Sequence, residues 1–174
     1  IDAEVGKYDT ASNDFELQIA INSWDRTFNT GSIFYLIETE FGGYVDSKKV
    51  DTSKKSITLK GKTFRGLLEK EYVQPATAEA YYVAQGEANT IINDLIKGRF
   101  DSLYVVDNIG LSDITVNYQM RDINLLEAIE KMLYNAEIKS RLDVSFHDGQ
   151  VHLQALPIID LSELLQYDQS YGIT

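Results

Sequence analysis

"LKGKTFRGLLEKEYVQP", Leu59–Pro75, decides how the chain is read. Gly61-Lys62-Thr63 runs into a helical pattern, as the end of a phosphate-binding loop does. Such a loop needs a glycine five residues before Gly61, so that backbone N–H groups can wrap the phosphates. Ser56 stands there, and the intervening "ITLK" alternates like a strand. The stretch therefore reads as a strand-to-helix corner. Gly61 permits the bend, Lys62 or Thr63 starts the helix, and Phe64, Leu67, Leu68 and Tyr72 fall on one helical face. Pro75 closes the unit.

Upstream the chain reads as strands. In "DFELQIAIN", Phe15, Leu17, Ile19 and Ile21 alternate with Glu16, Gln18, Ala20 and Asn22, which puts one apolar face against a core. "SWDRTFNTGS" is a loop turning at Gly31. "SIFYLIETE" is apolar through Ile37 and reads as a strand covered on both faces. Gly42-Gly43 then turns the chain into "YVDSKKV" as a hairpin. "KSITLKG" alternates again, with Ile57 and Leu59 on one face. Four strands in this span predict an antiparallel sheet curling toward a barrel.

Downstream, "VQPATAEAYYVAQ" is a weakly patterned connector. Ala88, Ile91, Ile92, Leu95 and Ile96 then recur at helical spacing, and Gly98 stands where a helix stops. "SLYVV" and "ITVNYQM" are strand-like. "NLLEAIEKMLYNA" is a second helix, with Asn124 as N-cap, Glu127 at capping-box spacing and Leu125, Leu126, Ile129, Met132 and Leu133 as its stripe. "RLDVSFHDGQVHLQAL" is a hairpin turning at Asp148-Gly149. Its register pairs His147 with Gln150, Phe146 with Val151, Ser145 with His152 and Val144 with Leu153. "PIIDLSELLQYDQSYGIT" has a short apolar piece and a polar end. The expected fold is α+β: a β-barrel-like domain with a closing helix over residues 1–78, then a smaller α+β portion over 79–174 holding two helices, the hairpin 142–155 and the C-terminal segment.

Composition narrows the function. Net charge is −11, from 16 basic and 27 acidic residues, which opposes binding to nucleic acid or to an anionic membrane. No apolar run has transmembrane length. Cysteine is absent, which removes disulfides and thiolate chemistry. "IDAEVGKYD" carries neither an initiator Met nor a signal-peptide pattern, and reads as the start of an excised domain or processed chain. There is no Gly-x-Ser-x-Gly elbow. Glu38 with Glu40, and Glu69 with Glu71, are acid pairs local in sequence and close to lysines, as on a solvated surface. A hydrolase would need two acids facing one groove.

His147 and His152 share the hairpin's polar face with Asp143, on diagonal positions about 7 Å apart. A metal there would need both histidines and an acid; a solvated sheet face explains the same alternation, and the sequence calls for no metal, cofactor or catalytic residue. Trp24 and nearby aromatics in "SWDRTFNTGS" offer stacking platforms for sugars. The eleven tyrosines fit protein interfaces more economically.

The order "NDFELQIAI … FGGYVDSKKVD … KSITLKGKTFRGLLEKEYVQP" resembles long-tailed bacteriophage (siphovirus) and prophage tail proteins of the baseplate-hub, or tail-tip, type. Leu59, Gly61, Thr63, Gly66, Leu67, Leu68 and Pro75 match that family's strand-to-helix motif. "GEANTIINDLI", "RDINLLEAIEKML" and "LDVSFHDGQVHLQAL" look like its later helices and hairpin, so the resemblance runs from Asp14 to about Leu156. Glu71 departs from it, standing where such proteins often have a basic residue. The resemblance implies a non-enzymatic structural component of the virion tail, made in the bacterial cytoplasm. It would act as an assembly module among other tail and baseplate proteins in a homo-oligomeric ring, trimeric in many hubs. A carbohydrate-binding module contacting host-wall sugars is the alternative.

Overall fold

The alternation of Phe15, Leu17 and Ile19 becomes an interior strand of the first sheet, paired on both sides. The computed structural model describes residues 3–159; the C-terminal segment read from the sequence extends outside the described residues. β1 (Ala3–Asp9), β2 (Asp14–Ala20), β3 (Ile33–Tyr35), β4 (Gly42–Asp51) and β5 (Ser56–Thr63) pair antiparallel in the order β1-β2-β5-β4-β3. Phe15, Leu17, Ile19, Val45, Ile57 and Leu59 form a small core on one face. Trp24 and Phe28, from the loop after β2, pack against it. The opposite face is polar, with Lys60 Nζ 2.7 Å from Glu16.

Among the described residues this sheet does not close into a barrel. β1 and β3 are its two edges. Irregularities at Val5/Lys7 in β1 and Val45/Ser47 in β4 bend it, as bulges do. Curling brings Tyr8 of β1 to the far side, where its hydroxyl donates to Glu40 O at 2.8 Å and its ring stacks on Phe41 at 4.2 Å. Among the described residues side chains, not backbone hydrogen bonds between β1 and β3, span the gap.

Gly42 and Gly43 are not the expected hairpin turn. They lie inside β4, opposite Tyr35 and Phe34, and the turn is residues 36–41. A Cβ on Gly42 would meet the Phe64 ring and Phe34 O; one on Gly43 would meet Lys62 O and the Phe15 ring. These glycines serve close approach. The expected strand through Ile37 ends at Tyr35 for the same reason, since the chain must reverse before Gly42 can pair.

The corner forms at Thr63, not at Gly61, which lies inside β5 paired with Phe15 and Val45 where a bend was expected. The Thr63 side chain caps α1 (Phe64–Leu68), accepting from Gly66 N at 3.1 Å. Tyr72 leaves the helix for a short strand, β6 (Tyr72–Val73), and is half-exposed. Every motif residue from Leu59 to Leu68 has a packing task. Leu59, Leu67 and Leu68 are buried, Thr63 caps, and Gly61 and Gly66 stand where a Cβ would strike backbone oxygens of Tyr44 and Asn13.

The rest of the chain surrounds a larger core. β7 (Tyr82–Glu87) pairs with β9 (Thr115–Met120), and β10 (Ile123–Asn124) pairs with β6. β11 (Ser140–His147) and β12 (Gln150–Pro157) form the hairpin in the expected register, and β8 (Tyr104–Val106) lies parallel beside β12. α2 (Ala88–Ile96) and α3 (Leu125–Tyr134) bury their expected stripes in this core. Phe64, Leu67, Leu68 and Val73 belong to the same cluster. Thus the helix assigned to the first unit is packed inside the second.

Two polar groups organise α2. Asn89, fully buried, accepts from Ala155 N at 2.8 Å and donates to Asn108 O at 3.2 Å. Glu87 caps the helix, accepting from Asn89 N and Thr90 N at 2.9 and 2.7 Å; Gly110 N and the Ser112 hydroxyl also donate to it. Burial pushes the Glu87 carboxyl up. Hydrogen bonds from Ser112, Thr90 and the backbone outweigh that and hold it at about 2. A depressed carboxyl stabilises the fold above its unfolded value and loses that contribution as pH falls toward its folded value. Glu87→Gln is therefore expected to lower stability by about 2 kcal/mol at pH 7, allowing for partial exposure. The difference from wild type should shrink between about pH 5 and pH 3. Urea unfolding of both proteins across that range checks it; a constant difference would contradict the assignment.

Candidate assembly surface

Residues 36–41 form a tight loop at the end of edge strand β3. Leu36 N donates to Phe41 O at 2.8 Å, and the Thr39 hydroxyl donates to Leu36 O at 2.8 Å. Glu38 takes positive φ, +61°. The loop also docks on β11: Glu38 N donates to Phe146 O at 2.9 Å, and Phe146 N donates to Thr39 O at 3.0 Å. Tyr35 stacks on Phe146 at 4.0 Å. Within this fixed frame Leu36 and Ile37 are 58% and 63% exposed. Two large aliphatic side chains are held in water by six residues of backbone that are themselves well bonded.

Arg65 links this loop to a neighbouring groove. Its Nε lies 3.0 Å from Glu40, its Nη1 3.5 Å from Glu130, and its Nη2 donates to Leu142 O at 2.7 Å. The groove has a volume of about 400 Å³ and is lined by Arg65, Glu130, Tyr134, Leu142 and Ile158 among others. Tyr134 and Ile158 are about half-exposed, as is nearby Ile138. Burial pushes the Glu130 carboxyl up, partly opposed by Arg65.

Among the described residues the tyrosines do not make one patch. Tyr104 is buried, its hydroxyl donating to Phe64 O at 2.7 Å, and Tyr44, Tyr82 and Tyr118 pack against the larger core. Tyr35, Tyr72, Tyr81 and Tyr134 are about half-exposed on different elements. Trp24 is engaged internally: Nε1 donates to Phe28 O at 2.7 Å, and the Lys48 ammonium lies 4.7 Å from the ring centroid. Three of the four acids in the expected pairs meet separate cations. Glu40 meets Arg65, Glu69 meets Lys62 at 3.2 Å, and Glu71 meets Arg99 at 3.2 Å. Lys62 of the Gly-Lys-Thr run also pairs with Asp14 at 2.8 Å, so its ammonium serves the sheet–helix corner.

The histidines come closer together than their diagonal register suggests. Their rings stack with centroids 3.3 Å apart. Asp143 turns to Arg141 at 2.7 Å, and the acid against His152 is Asp107, at 2.9 Å from Nδ1. Neither Asp107 nor Arg65 was a candidate from sequence. Asp107 follows "SLYVV", and only the parallel pairing of β8 with β12 brings it to the hairpin. Among the described residues no helix is long and apolar enough to cross a membrane. Compared with protein-family models and with curated proteins, the sequence gives no match.

Proposed function

We propose that the chain is a protein–protein assembly module of a phage or prophage tail tip or baseplate. The observation that carries this reading is the Leu36–Ile37 tip. Exposed aliphatic side chains on a mobile loop would be costly to order on binding, whereas these are already fixed by the loop's bonds to Phe146, which lowers that cost. A preformed apolar projection beside a polar, arginine-bearing rim is the anatomy of a contact site. The order of motifs along the chain supplies the tail-protein context. In a homo-oligomeric ring, neighbours would cover the free edges of β1 and β3 and complete the barrel-like wall that the sheet begins. The net charge of −11 favours neighbours that present basic surfaces. No observation favours the sugar-binding reading, since the Trp24 ring is packed against the small core.

The test is the paired variant Leu36→Asp with Ile37→Asp. Both are surface positions, so stability should stay within about 0.5 kcal/mol of wild type. Association with other tail or baseplate proteins should weaken by about 2 kcal/mol or more, as at interface hot spots. Native mass spectrometry of mixed components and proteomics of purified tails read the outcome. Absence of the chain from tail particles rejects the tail-tip role, and undiminished association of the variant rejects this contact.

A further inference from the structure

We propose that Asp107, His147 and His152 form a site for a divalent transition-metal ion of the zinc class. His152 is the anchor. Its side chain is 12% exposed, and its Nδ1 faces Asp107 Oδ1 at 2.9 Å. With the carboxylate as acceptor, Nδ1 carries the proton and Nε2 presents a bare lone pair. That Nε2 is buried and has no hydrogen-bond partner among the described residues. A buried acceptor without a partner is costly, and an imidazole oriented by a carboxylate through its other nitrogen is the arrangement that supports a metal ligand.

The second imidazole is in reach. His147 stacks on His152, and one ligand atom from each of Asp107, His147 and His152 lies within 4.8 Å of the others. Face-to-face rings direct their in-plane lone pairs past one another. His147 is the freer ring, 36% exposed, with only a long 3.5 Å approach to Asp148. It turns about its Cβ–Cγ bond to bring one nitrogen to the ion, while His152 stays fixed by Asp107. Two imidazoles select a borderline ion such as Zn²⁺ over the hard cations Mg²⁺ and Ca²⁺, which prefer oxygen ligands. The second Asp107 oxygen or water completes the coordination, which makes this a moderate-affinity site open on one side.

The backbone holds the three residues in place. His147 and His152 are set by the hairpin register around Asp148-Gly149. Asp107 is set by its N–H donating to Leu153 O at 3.0 Å. The chain has two histidines and no cysteine, so any imidazole–metal signal must come from this pair.

Zn²⁺ is titrated calorimetrically into untagged, chelator-treated protein in the presence of excess Mg²⁺, which occupies non-specific acidic sites. One saturable site per chain is expected, and Co²⁺ in its place should give the visible bands of nitrogen-ligated cobalt. His152→Ala should abolish binding. His147→Ala should weaken it at least about tenfold, and Asp107→Asn by about 10–100-fold. Ser145→Ala, on the same face, should leave it unchanged. Should His152→Ala fail to fold, the more exposed His147→Ala decides alone. The proposal is overturned if wild-type protein shows no saturable Zn²⁺ binding, if Mg²⁺ displaces it, or if His147→Ala binds as tightly as wild type.

Discussion

Gly61→Ala is expected to destabilise the protein by about 3 kcal/mol or more, and Gly61→Val by still more. Gly61 sits inside β5 opposite Phe15 on one side and Val45 on the other, beside the irregularity in β4. A Cβ there would run into Tyr44 O and come within 2.9 Å of the Phe15 ring. The obstacle is backbone on one side and a buried aromatic on the other, so no rotamer change relieves it. β4 would have to separate from β5, the middle strand of the sheet. Total stabilities of such domains are about 5–15 kcal/mol, so the loss should appear as a large fall in urea midpoint. Lys62→Ala is the matched control. Its ion pairs are partly exposed, and its loss should cost about 1 kcal/mol or less. A nucleotide-loop role would instead make Lys62 critical, with Lys62→Ala abolishing phosphate binding. Unchanged stability of Gly61→Ala would falsify the close-approach account.

The same corner shows what sequence could and could not disclose. Leu59 and Phe64–Leu68 were legible because strand and helix periods meet there and Thr63 is a good cap. The hairpin register was legible because Asp148-Gly149 takes the positive φ values, +51° and +80°, that a two-residue turn requires. β1 escaped notice because the bulge at Gly6 interrupts its alternation. β7 was read as connector because Ala84 is its only buried side chain. Gly42-Gly43 looked like a turn because local sequence cannot distinguish a glycine needed for its φ from one needed for its missing Cβ. Leu36 and Ile37 looked like core, since apolarity alone does not say which face meets water. Asp107 and Arg65 act through contacts 45 and 77 residues away in sequence, and no periodicity carries information over that distance.

Phe64→Ala is expected to cost about 3–5 kcal/mol, and its effect should reach both halves of the chain. Phe64 is fully buried in the larger cluster and stacks on Phe146 at 5.4 Å. Its ring also fills the space that a Cβ on Gly42 would need in β4, and its carbonyl accepts from Tyr104 at 2.7 Å. Truncation therefore opens a cavity where the first sheet, the hairpin and β8 converge. Trp24 is the sole tryptophan and reports the small core of the first sheet; far-UV circular dichroism weights α2 and α3, which lie in the larger core. If the cores are one cooperative unit joined at Phe64, the two signals should share a single urea midpoint in wild type and move down together in the variant. A Trp24 midpoint that stays put while the helical signal falls would mean that the sheet folds independently. The sheet would then be a separable module, with α1 belonging to its neighbour. Coincident loss would make the strand-to-helix corner the joint through which a load on the sheet, from any subunit contact at its edges, is passed to the rest of the chain.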